Sequence, residues 1–167
     1  MKHQARVIRC KGFTLLELMI VIAMITTMTT LALPSFQDRI IRAQVDEALK
    51  LASIAEAAVD EYYKHENKFP ADNAEAGLPA KDKIIGNYVH QIEIVNGTIH
   101  VTMGKKANKH IAGEIVSLRP AIVKDAPIVP IAWVCGKAEA PDGMDVIGDN
   151  ATSLDNIHLP LECRELS

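Results

Sequence analysis

The stretch that most constrains this chain runs from Lys11 to Pro34, KGFTLLELMIVIAMITTMTTLALP. From Phe13 to Leu33 it holds 21 residues interrupted by a single charge, Glu17. As a helix rising about 1.5 Å per residue, such a run covers about 32 Å, enough to cross a bilayer core. A carboxylate one turn into that run costs a few kcal/mol in lipid unless it finds a partner. The segment is therefore built to anchor, and Glu17 is built for something besides anchoring.

Charge is distributed unevenly around this segment. Lys2, Arg6, Arg9 and Lys11 give the first twelve residues +4 with no acid, so the remainder of a chain of net charge −3 carries −7. Basic flanks stay on the cytoplasmic side, which places the amino terminus inside and the bulk of the chain outside. The balance gives no nucleic-acid footprint. The length of 167 residues suits one domain plus a membrane segment. Cys10 falls in the basic lead-in, whereas Cys135 and Cys163 fall in the exported part, where a disulfide persists. One intrachain pairing is open to those two thiols, and closing that loop would stabilise the fold by roughly 3–4 kcal/mol. Two unpaired thiols are the alternative.

An ordinary secretory signal is cut after its apolar run, at small residues. Here Pro34 follows the run, and the small residue, Gly12, precedes it. A cut at Gly12–Phe13 would remove a charged leader and leave a new α-amine directly before the helix. An uncleaved single-span anchor fits the same composition.

The words KGFTLLELMIVIA, continuing into LALPSFQDRIIRAQVDEAL, resemble the prepilin signal of type IV pilins. The resemblance covers the Gly, the Phe, the following Thr and the Glu five residues into the mature chain. It implies removal of residues 1–12 by a prepilin peptidase, which also N-methylates Phe13. It further implies that Glu17 meets a neighbouring subunit's terminal amine during assembly and so fixes register. From the residues alone, Glu17 also lies where the helix macrodipole favours a negative charge, and Phe13's amine would sit about one turn away. Snorkelling, or a bond to its own terminus, is the plainer alternative for Glu17. Pro34 predicts a kink in the helix. Thr26, Thr27, Met28, Thr29 and Thr30 depart from the small and aliphatic residues usual in the family. The segment is then either a weak point, open to unwinding in a filament, or an intact helix with internally satisfied hydroxyls.

Beyond Pro34 the pattern becomes amphipathic. Ile41, Val45, Ala48, Ala52, Ala55, Val59 and Tyr62 recur every three or four residues, predicting one helix from about Phe13 to His65 whose second half needs a cover. Residues 66–87 read as a long loop. Asn96-Gly97 predicts a type I′ hairpin pairing Ile94 with Ile99, Ile92 with Val101 and His90 with Met103. Loop 104–110 concentrates Lys105, Lys106 and Lys109, a possible basic contact. Strand three is expected at Glu114–Arg119, ended by Pro120, and strand four at Val129–Cys135. The fold class is α+β: a long helix whose carboxy-terminal half packs on a four-stranded antiparallel sheet. The segments are a leader 1–12, a transmembrane or filament-core helix 13–34 and a head 35–167. The head comprises helix 35–65, loop 66–87, sheet 88–135 and closed loop 135–163.

FPADNAEAGLP and GNYV resemble the corresponding loop of type IVa pilins, and WVCG and HLPLECRE resemble the borders of their disulfide-closed region. Secretion pseudopilins share the signal but generally lack that border. Asp142, Asp145, Asp149 and Asp155 do not have EF-hand spacing, the six histidines are scattered, and no metal or cofactor is expected. The Asn150-Ala-Thr sequon reads as chance. Phosphate-loop, zinc-protease and nucleophile-elbow motifs are missing, so the chain reads as no enzyme. The resemblance implies a bacterial pilus subunit that begins in the inner membrane and ends in an extracellular fimbrium. Its partners would be copies of itself, prepilin peptidase, the assembly machinery and minor pilins. Adhesion, twitching motility and DNA uptake are the implied roles, with a DNA-contacting minor pilin or a secretion pseudopilin as alternatives.

Overall fold

The computed structural model describes residues 12–126 and 128–165, side chains 30–35 excepted. The rest of the expected leader, Cys10 within it, and the kink expected from the Pro34 side chain lie outside the described residues. The chain divides into two compact units at Gln37/Asp38. A single helix, α1, runs from Leu15 to Glu66.

In the first unit, apolar side chains project all round the helix: Leu15, Leu16, Met19, Ile22, Met24 and Met28 are each more than half exposed. The threonines do not interrupt it. Thr26 Oγ1 donates to Ile22 O and Ala23 O (both 2.9 Å), and Thr27 Oγ1 to Met24 O (2.8 Å). Thr29 Oγ1 donates to Ile25 O (3.0 Å) and Thr26 O (2.9 Å). Hydroxyls that bond back to the preceding turn are satisfied without water. Of the two readings, the intact helix holds through Thr29 in the isolated chain. Among the described residues no helix is long and apolar enough to cross a membrane, and part of the 13–34 run lies outside them.

In the second unit, α1 buries a narrow stripe. Ile41, Val45, Ala48, Ala52, Ala55 and Val59 are buried as the spacing predicts, while Tyr62 is only partly covered. Against them lies an antiparallel sheet of β1 (Val89–Val95), β2 (Thr98–Met103), β3 (Ile115–Ile122) and β4 (Ala132–Cys135), in that order. A two-residue β5 (Asp145–Val146) pairs with the end of β3. Ile92, Ile94, Ile99, Val101, Val116 and Leu118 join the helix stripe in one core.

The hairpin forms with Asn96 and Gly97 both at positive φ (49° and 83°). Ile94 faces Ile99 and Ile92 faces Val101 as predicted. A bulge between Val89 and Gln91 changes the last pair: Met103 faces Val89, not His90. The extra residue lets Val89 enter the core and leaves His90 exposed. Strand β3 does not stop at Pro120 but continues to Ile122. The Pro120 carbonyl accepts the Ile147 N–H (2.8 Å) on the β5 side, and a residue's N–H and C=O point to the same side of a strand. The missing donor thus faces away from β4, whose pairing with β3 it does not disturb. Strand β4 is shorter than predicted because Pro130 and the turn Val129 N→Ala126 O (3.0 Å) precede it.

Residues 66–87 are a packed loop fixed to the sheet edge. The buried Asn73 side chain acts as a surrogate strand: Nδ2 donates to Ile92 O (2.9 Å) and Pro79 O (3.2 Å), and Oδ1 accepts from Ile94 N (2.7 Å). Phe69 stacks on Tyr63 (4.6 Å between centroids) and fills the space beside Gly97, where a Cβ would fall 2.7 Å from its ring. Asn73→Ala leaves two buried backbone groups, Ile92 O and Ile94 N, unpaired and is expected to cost about 2–4 kcal/mol. Urea unfolding of the detergent-solubilised chain, followed by Trp133 fluorescence, measures it.

Candidate functional site

The amino end of α1 is closed by its own side chains. Thr14 precedes the first helical residue; its Oγ1 accepts the Glu17 N–H (3.2 Å). Glu17 Oε2 accepts in return from Thr14 N and Thr14 Oγ1 (both 3.3 Å). This is a reciprocal capping box, two orphan donors answered by two side chains. The pattern Thr-Leu-Leu-Glu carries that signal in the sequence, although the apolar run around it reads first as a membrane segment. In the isolated chain Glu17 thus bonds Thr14 of its own first turn rather than a terminal amine. Among the described residues Phe13 is 79% exposed, and a Cβ on Gly12 would meet nothing within 4 Å. Thr14→Val removes the cap and is expected to fray the first turn, costing about 1 kcal/mol of local helix stability; Thr14→Ser restores it. Amide hydrogen exchange over residues 14–18 in detergent reads the difference.

At the other end, Cys135 and Cys163 are bonded, with Cα atoms 4.6 Å apart. Gly136 turns at positive φ (58°), and a Cβ there would lie 2.7 Å from Cys163 O. The loop so closed lies along β3 through buried Ser117. Its Oγ accepts from Ala151 N (3.0 Å) and sits 2.9 Å from His100 Nδ1; its N–H donates to Thr152 Oγ1 (3.0 Å). Ser153 continues the pairing with Ile115 and also bonds Glu114. Sequence reasoning missed this docking because Ser, Thr and Asn there read only as loop residues. Asn150 of the sequon donates Nδ2 to Gly136 O (2.8 Å), so its amide is already engaged. Burial pushes the His100 imidazole down, against Glu93 and Asp149, which pull it up.

Loop 104–110 is pinned beneath and charged above. Ala107 and Ile111 are buried, and Asn108 N donates to Gln44 Oε1 of α1 (2.8 Å). Lys105, Lys106 and Lys109 are exposed. Among the described residues the ion pairs are Lys68–Glu75, Lys81–Glu93 and Lys83–Asp82, so none of these three lysines has a carboxylate partner. Asp142, Asp145, Asp149 and Asp155 are dispersed on the surface. The described residues contain no group of three or more His, Cys, Asp or Glu that could hold a metal ion.

Glu75 is a separate polar centre on loop 66–87. It accepts from Tyr62 Oη (2.5 Å), Ala71 N (2.6 Å) and Lys68 Nζ (3.0 Å). Those donors, Tyr62 first, hold its carboxyl down at about 2, and the same network pushes Lys68 up. A depressed carboxyl contributes stability that is complete above its ordinary value of 4.5 and is lost as pH falls from there through about 2. Glu75→Gln is expected to flatten stability against pH in that window while leaving neutral-pH folding two-state; acid titration of the unfolding midpoint checks it.

Two features together define the class. One unit is a helix with every apolar side uncovered and one capped carboxylate; the other is a polar head closed by a disulfide. The family model for Pilin (bacterial filament) matches residues 41–164, and that for the prokaryotic N-terminal methylation motif matches residues 8–33. The chain belongs to the pilin family. It is 40% identical over 162 residues to type IV major pilin protein PilE1 of Neisseria gonorrhoeae, covering 93% of this chain and 87% of that one. It is 35% identical over 165 residues to a fimbrial protein of Neisseria meningitidis serogroup B, covering 94% and 95%. Fimbrial protein EcpC of Eikenella corrodens is 42% identical over 114 residues, 65% of this chain and 73% of that one. Filament pilins are structural subunits, and this chain is not an enzyme.

Proposed function

We infer that this chain is the structural subunit of a type IV pilus. The observation that carries the reading is the uncovered apolar helix, Phe13 to Met28, with Glu17 as its one charge. Water cannot solvate such a surface cheaply, so it belongs in lipid before assembly and against other copies of itself afterwards. On this reading a prepilin peptidase cuts at Gly12–Phe13 and methylates the Phe13 amine. The precursor sits in the bacterial inner membrane, where the assembly machinery and minor pilins meet it. The finished fimbrium lies on the cell surface and serves adhesion and twitching motility.

Glu17 then has two successive partners. In the isolated chain its carboxylate caps its own helix through Thr14. In the filament a neighbouring subunit's Phe13 amine offers a full positive charge, a stronger partner than a backbone N–H in a dry environment. The exchange of a weak cap for an ion pair drives docking and sets register. Pro34 gives α1 a place to bend between the apolar run and the head.

One observation favours a second reading, a pilin that contacts DNA during uptake. The pinned loop presents Lys105, Lys106 and Lys109 without carboxylate partners among the described residues. Clustered lysines suit phosphate contact, but the exported chain is acidic overall. The Cys135–Cys163 closure weighs against a secretion pseudopilin. Glu17→Ala is expected to leave export and cleavage intact and to cut surface filaments by about tenfold or more, the loss of one charged contact in a dry interface. Electron microscopy and immunoblots of sheared and membrane fractions separate the two effects. Normal filament numbers would remove the docking argument.

A further inference from the structure

We propose that His110 and His158 form a surface site for a borderline divalent metal ion, with Zn²⁺ as the type. The two residues are 48 positions apart in sequence, and the fold brings their rings to 6.2 Å between centroids. With about 2.1 Å from metal to nitrogen, two imidazoles sharing one tetrahedral ion hold their centroids about 5–5.5 Å apart. The observed separation is about an ångström wider, with the planes tilted by 34°, so side-chain rotation alone can bring the rings onto one ion.

The site is prepared from both sides. His110 is followed by the fully buried Ile111, and its N–H donates to Asn108 Oδ1 (3.1 Å). His158 is followed by the fully buried Leu159, its N–H donates to Asp155 O (3.0 Å), and Cys163 lies five residues on in the disulfide. Both backbones are therefore anchored while the rings reach solvent. Neither ring makes a hydrogen bond among the described residues, so binding displaces no internal partner. Two imidazoles without a carboxylate select borderline ions over Ca²⁺ and Mg²⁺, which require oxygen ligands. Water fills the remaining positions. Lys109, beside His110, repels a second positive charge and keeps the site weak. In a filament every subunit would carry one such site, on the head.

Calorimetry of the full chain in detergent micelles, carrying no histidine tag, tests this with Zn²⁺ itself. At neutral pH one ion per chain is expected to bind saturably. His110→Asn and His158→Asn should each weaken binding by about tenfold or more, because each removes half of the protein ligands. Acidification should abolish binding as protons compete for the imidazoles, and Ca²⁺ should give no heat. Unchanged near-ultraviolet circular dichroism of Trp133 verifies that both variants fold. The proposal is overturned if wild type and both variants bind Zn²⁺ alike, if Ca²⁺ binds equally well, or if wild type shows no saturable binding.

Discussion

The small side chains on the covered face of α1 govern how the head is built. Ala48, Ala52 and Ala55 lie at the middle of the stripe, between Val45 and Val59, and all five are buried. Alanine pays no side-chain entropy in a helix and lets a facing sheet approach closely. The volume is supplied from the other side, by Ile92, Ile94, Ile99, Val101 and Val116. With the sheet seated on the helix, its edges still expose backbone groups. Asn73 answers the edge at β1, and the segment 151–153 answers the backbone of β3 at Ile115 and Ser117, beyond the end of β4. The disulfide then holds the second cover in place by limiting the freedom of its unfolded chain.

The first unit obeys the opposite rule. Its apolar side chains are left uncovered, so its stability in water comes from its own backbone and from local caps. The capping box between Thr14 and Glu17 supplies one end, and the threonine hydroxyls bond back to the turns behind them. Glu17 is consequently not an idle charge before assembly. The docking role proposed for it would then draw on the difference between two partners rather than on the full cost of an orphan carboxylate.

How far the sequence disclosed this depends on the range of each interaction. The helix stripe, the Asn96-Gly97 turn and the core pairs Ile94–Ile99 and Ile92–Val101 follow from local period and turn chemistry, and all were legible. The bulge at His90 and the passage of β3 through Pro120 depend on what lies across the strand, which a local pattern does not contain. The capping box has a local signature, Thr-Leu-Leu-Glu, but the single carboxylate in an apolar field carries a membrane signal that masks it. Ser117 and Asn73 are polar residues whose importance comes from burial, and burial of a polar side chain has no local signature. The meeting of His110 with His158 is of the same kind: two loops, each ordinary in sequence, are set side by side by the sheet and the disulfide.

On the function proposed above, the apolar run after Gly12 becomes a filament core after cleavage. Mass spectrometry of filaments sheared from the cell surface tests it most directly. The major chain is expected to begin at Phe13, to carry one added methyl group on its α-amine and to retain the Cys135–Cys163 bond. A chain recovered with residues 1–12 still attached, or found only in membranes and not in sheared filaments, would contradict it.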